Sequence, residues 1–138
     1  MFSDEDRLFK NSVEDCSISV ANFDHRAHLR LAYIYLVNNN TEDSNQLVRQ
    51  ALCALLRHNN IAPSDKYHET LTAAWLLAVN HFMNITPTTQ SADQFIDKNP
   101  KMLDSKIMLT HYSEALLFSD EAKNKFVEPD IDPIPSYR

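Results

Sequence analysis

His25 and His28 stand three residues apart directly behind Asp24. On a helix of 3.6 residues per turn that spacing separates two imidazoles by about 60°, so both can address one target. Neutral imidazole is a ready metal ligand, and a helix N-terminus, with its partial positive charge, disfavours the imidazolium form. A second helix start, Tyr67-His68-Glu69-Thr70, repeats the arrangement, and His111-Tyr112 follows later in the chain. Three histidines with one open position make a catalytic-type zinc site, and an added carboxylate suits iron or manganese as well. His25, His28, His68 and His111 are therefore the candidate ligands of one divalent metal ion. Glu69, one residue beyond His68 and about 100° around the helix, is the candidate general base or orienting carboxylate. Tyr67 and Tyr112 are candidate hydrogen-bond donors to a substrate. The H-E-x-x-H arrangement of zinc proteases is absent, because Thr70, Leu71 and Thr72 follow His68-Glu69.

The same side chains admit a plainer reading. A histidine in such a position also serves as an ordinary hydrogen-bonded or solvated group, and His58, at a helix C-terminus, is explained by the helix dipole alone. Two functions from different classes follow: a divalent-metal-dependent enzyme, or a non-catalytic helical module that holds a small molecule or a partner protein in the same polar pocket.

Composition limits what else the chain can do. None of its 138 residues is glycine, where average usage of about 7% would place roughly ten. The P-loop and the G-x-G-x-x-G dinucleotide turn are thereby excluded. Helix ends must turn to asparagine for a left-handed cap, and Asn38-Asn39-Asn40, Asn59-Asn60, Asn84 and Asn99 stand where such caps are wanted. The formal net charge of −6 and scattered basic residues exclude a nucleic-acid backbone as partner. No run reaches the length of a membrane span, and Met1-Phe2-Ser3-Asp4-Glu5-Asp6 is acidic where a secretory signal is basic and then apolar. Cys16 and Cys53, without CxxC spacing, read as free thiols, which predicts a cytoplasmic protein.

These residues need helices to position them. The pattern predicts a short helix over Ser3 to Asn11, a long one from His25 to Val37, a second from Glu42 to His58 capped by Thr41, and a third from Lys66 to Met83 capped by Ser64 or Asp65. A capping box at Ser91-Ala92-Asp93-Gln94 opens a short helix that stops before Pro100. Residues 101 to 111 read as helical, Ser113 and Ser119 cap further short helices, and Pro129, Pro133 and Pro135 impose an extended tail. Leu29, Leu36, Leu52, Leu55, Leu71, Trp75 and Val79 are the expected core. The fold class is all-α: an up-down bundle of about four main helices, with residues 1–138 as one domain, residues 1–21 as an N-terminal strap and residues 128–138 as the tail. The acidic N-terminus reads as solvated surface. Short connections favour antiparallel neighbours, an order that gathers His25, His28, His58, His68 and His111 at one end and leaves His81 at the other.

The segments Asp24-His25-Arg26-Ala27-His28-Leu29, Tyr67-His68-Glu69-Thr70-Leu71-Thr72 with Trp75, Tyr112-Ser113 with Leu117-Phe118-Ser119, and Val127-Glu128-Pro129-Asp130 resemble a family of small uncharacterised bacterial all-helical proteins. There the segments read approximately T-H-x-A-H-L, Y-H-E-T and Y-S followed by L-F-S and E-P-D. The resemblance runs from about residue 23 to 132. Asp24 stands where that family has threonine, a change that preserves a cap. The resemblance implies a bacterial cytosolic setting and brings no activity with it.

Overall fold

The computed structural model describes residues 1–136, and among them every regular element is a helix. Three are long: α2 (His25–Asn38), α3 (Thr41–His58) and α5 (Glu69–Ile85). They pack against one another in all three pairings. Around them lie α1 (Asp4–Glu14), a single turn α4 (Pro63–Lys66), α6 (Ala92–Lys98), α7 (Glu114–Leu117) and α8 (Asp120–Asn124).

Burial explains why α2 is central. Leu31, Ala32, Tyr33, Ile34, Tyr35 and Leu36 are all buried, six successive positions that cover the whole helix circumference, as happens when neighbours surround a helix. Those neighbours are α1, α3, α5, α6 and the 3-10 turn Pro100–Leu103. Six of the seven expected core residues are buried; Leu71 is only half-buried.

The N-terminal segment differs from its expected form. It carries one helix through Glu14 whose Val13 is fully buried, and α1 packs on α2 and α3. Asp6, expected in the solvated acidic run, is 1% exposed. Its carboxylate accepts from the Ser3 and Ala92 backbone N–H groups at 3.0 and 2.9 Å and from Arg30 Nε at 2.9 Å. These donors compensate the burial of its charge and join α1, α2 and the start of α6. Tyr33 Oη donates to the Met1 carbonyl and Tyr35 Oη to Glu14, fixing the same segment further.

The third long helix is also divided. Tyr67 and His68 have extended backbone between α4 and α5, so the expected continuous helix from Lys66 starts instead at Glu69. Its cap is His68, whose Nδ1 accepts from the Leu71 N–H at 3.0 Å, and not Ser64 or Asp65. Asn40, and not Thr41, caps α3. Residues 100–103 and 105–110 are 3-10 turns. Only Asn60 of the expected asparagine caps takes a left-handed conformation; the other positive φ belongs to Cys16. Asn39, Asn59, Asn84 and Asn99 act through their side chains, each Nδ2 donating to the carbonyl four residues earlier. They satisfy carbonyls that a helix end leaves unpaired without needing a left-handed residue.

The segment after α8 is extended and stitched to the body. Val127 N–H donates to Thr70 Oγ1, which itself donates to the Lys125 carbonyl, while Asp130 accepts from Ser113. Residues 137 and 138 of the expected tail lie outside the described residues.

Candidate functional site

A cavity of about 610 Å³ opens among α2, α3, α5 and the 3-10 turn at 105–110. Its size lies within the range of small-molecule pockets, about 300–1,000 Å³. The wall is chiefly apolar: Leu29, Leu52, Leu55, Leu71, Trp75 and Val79 are representative. These are the stripes expected to close on one another as core; here they face a shared space.

His25, His28 and His68 all line this cavity. Each is anchored through a backbone carbonyl, which fixes ring chemistry because a carbonyl only accepts. His25 Nε2 donates to the Met102 carbonyl at 2.8 Å, and its ring meets Trp75 edge-on with centroids 4.6 Å apart. His28 Nδ1 donates to the Asp24 carbonyl at 2.9 Å, with its ring edge-on to Phe23 at 4.6 Å. His68 Nε2 donates to the Leu117 carbonyl at 2.7 Å while Nδ1 accepts from Leu71 N–H. Both nitrogens of His68 are thus spent on holding α5 and α7.

In a neutral ring the unprotonated nitrogen is an acceptor, which leaves His25 Nδ1 and His28 Nε2 as acceptors. Among the described residues no partner stands at His28 Nε2. The ring is accessible from the cavity yet crowded by protein. Desolvation holds its pKa below the usual 6.5 and outweighs the hydrogen bond to the Asp24 carbonyl, which raises it; the nearby His25 lowers it and the Asp24 charge raises it by lesser amounts. His28 is therefore neutral near pH 7.

Of the remaining candidates Tyr67 also lines the cavity, whereas His111, Tyr112 and Glu69 do not. His111 is not among the cavity residues; its Nδ1 donates to the Asp132 carbonyl at 2.7 Å in the tail. Tyr112 is fully buried, its hydroxyl donating to the Val127 carbonyl at 2.6 Å, and burial pushes its pKa up to about 12. Glu69 is buried and held by Arg49 through Nε at 2.9 Å and Nη2 at 2.8 Å. Tyr67 Oη donates to the same carboxylate at 3.2 Å, and its pKa rises through burial and the charge of Glu69. Among the described residues no three His, Cys, Asp or Glu side chains are grouped to hold a metal ion. The backbone bonds of the histidines account for much of this: His68 has no nitrogen left to offer, and His111 is turned to the Asp132 carbonyl in the tail.

Sequence reasoning did not anticipate Lys66, Ser105 and Lys106 in the cavity wall. Ser105 and Lys106 arrive on a 3-10 turn, where no 3.6-residue periodicity announces a face. Among the described residues neither lysine makes an ion pair. No helix is long and apolar enough to cross a membrane among the described residues. No family model, curated protein or solved structure matches the chain.

Proposed function

We propose that this chain is a non-catalytic helical module that binds an apolar small molecule between α2, α3 and α5. One observation carries the reading: a cavity of about 610 Å³ whose walls are chiefly leucine, valine, alanine and aromatic side chains. A well-packed core leaves few spaces larger than a water molecule, and apolar walls of this extent gain dispersion contacts from an apolar ligand. The reading takes α2, α3 and α5 as an up-down-up bundle, supported by the short link between Asn38 and Thr41.

Trp75, the single tryptophan, lines the cavity and reports on it. Titration with hexylbenzene should change Trp75 fluorescence saturably at one equivalent and raise the melting temperature by mass action. Ala32→Phe, which builds a ring into the cavity from its α2 wall, should abolish the change with helix content retained. A linear, non-saturating response in the parent protein would refute the pocket.

A further inference from the structure

Resting on that reading, the geometry points to a ligand that is uncharged and ends in a hydroxyl, which donates its proton to His28 Nε2. The cavity wall is chiefly apolar; its polar groups are Asp24, His25 and His28 at the start of α2, Tyr67, His68 and Thr72 about the start of α5, and Lys66, Ser105 and Lys106. His28 cannot turn its other nitrogen to the ligand, because Nδ1 is fixed on the Asp24 carbonyl and the ring is clamped edge-on by Phe23. Nδ1 and Nε2 lie on different edges of the ring, so anchoring the first on backbone turns the second away from it. What His28 offers is a lone pair, and a lone pair asks for a donor.

An ionised end group of either sign meets a like charge in the wall. A carboxylate would bring oxygens against the bare nitrogen of His28 and the side chain of Asp24, whose Oδ1 already accepts from Ala27 N–H at 2.9 Å. An ammonium would meet Lys66 and Lys106, which line the same cavity. Either ion would also lose its hydration on entering apolar surroundings. A neutral hydroxyl avoids these costs and satisfies the acceptor that the fold leaves open. His25 Nδ1, one turn away, is a second acceptor for the same group.

Three probes of one shape decide the point at neutral pH, read through Trp75: para-hexylphenol, hexylbenzene and para-hexylbenzoate. The phenol should bind about tenfold tighter than hexylbenzene, the discrimination expected of one buried hydrogen bond. In His28→Phe the two should bind within about twofold of each other, since the ring shape remains and the lone pair does not. Equal binding of phenol and hydrocarbon in the parent protein would overturn the hydroxyl assignment and leave the pocket standing. Tightest binding by the benzoate, weakened by Lys66→Gln or Lys106→Gln, would overturn it in favour of an anionic headgroup. Failure of all three to bind would overturn the pocket together with the assignment. The phenol-to-hydrocarbon comparison needs no variant, so it stands even if His28→Phe does not fold.

Discussion

Asp6, buried, and His28, exposed on the cavity wall, are polar groups that the fold treats in opposite ways. Asp6 is 1% exposed and receives three donors, from Ser3, Ala92 and Arg30. Burial by itself would raise its pKa; the two backbone N–H groups and the arginine outweigh that and hold the carboxyl below its usual 3.8. His28 receives one anchor and keeps one nitrogen open onto a cavity. The saturated group holds three elements together. The half-used one has chemistry left for a ligand. His68 belongs with Asp6 in this respect although it lines the cavity, because both of its nitrogens are bonded to backbone.

The largest test of this contrast is Asp6→Ala. Three donors would lose their acceptor, two of them backbone groups, and stability should fall by about 3 kcal/mol. Arg30 retains some solvent access and packs over the Phe9 ring at 4.5 Å, which limits the cost of stranding it. Urea unfolding followed by circular dichroism measures the loss; a change under about 0.5 kcal/mol, the range of ordinary surface substitutions, would place Asp6 among the solvated acids.

A smaller effect separates the histidines. His68→Ala removes both the α5 cap and the link to Leu117, and should cost about 1–2 kcal/mol. His28→Ala should cost less, about 0.5 kcal/mol, having lost a local bond to the Asp24 carbonyl and the edge-on contact with Phe23 on an exposed ring. Equal losses in the two variants would erase the distinction between saturated and half-used rings.

The smallest effect is a dependence on pH. His28 has a folded pKa below its unfolded value, so the unfolded chain binds the proton more readily. Its contribution is fully present above about 6.5 and is lost as pH falls through 6.5 toward the folded value. The corresponding loss from Asp6 begins only as pH falls below about 3.8. Urea midpoints measured from pH 8 downward should therefore show a shallow decline beginning near 6.5 that His28→Phe removes and Asp6→Ala leaves in place. Persistence of the decline in His28→Phe would assign it to other groups.

The helical class was legible because apolar residues recur at helical spacing and caps such as Asp24 and Ser91 mark the starts. The shared location of His25, His28 and His68 was legible from helix direction and connection length. What the rings do there was not, since each takes its partner from backbone far away in sequence: Met102 for His25, Leu117 for His68. The break at Tyr67 and His68 escaped notice because an imidazole acts as the cap there, outside the usual Ser, Thr, Asp and Asn set. Apolar stripes announce that Leu52, Trp75 and Val79 turn inward. They do not announce whether the space between them is filled. Asp6 illustrates the converse limit: an acidic run looks solvated, and only a tertiary contact with Ala92 shows that one member of it is not.

The absence of glycine reaches beyond helix capping to the denatured ensemble. Each residue with a Cβ has fewer backbone states when unfolded than glycine would have, and replacing glycine by alanine at a compatible position is worth about 0.4–1 kcal/mol for that reason. Roughly ten positions that average usage would give to glycine here carry side chains, and among the described residues only Cys16 and Asn60 take a positive φ in return. Nearly the whole of that narrowing acts without folded-state strain to oppose it. A chain that keeps a cavity open between its long helices thereby starts from an unfolded state with several kcal/mol less entropy to surrender, a reserve of order 5 kcal/mol against the packing that the cavity forgoes.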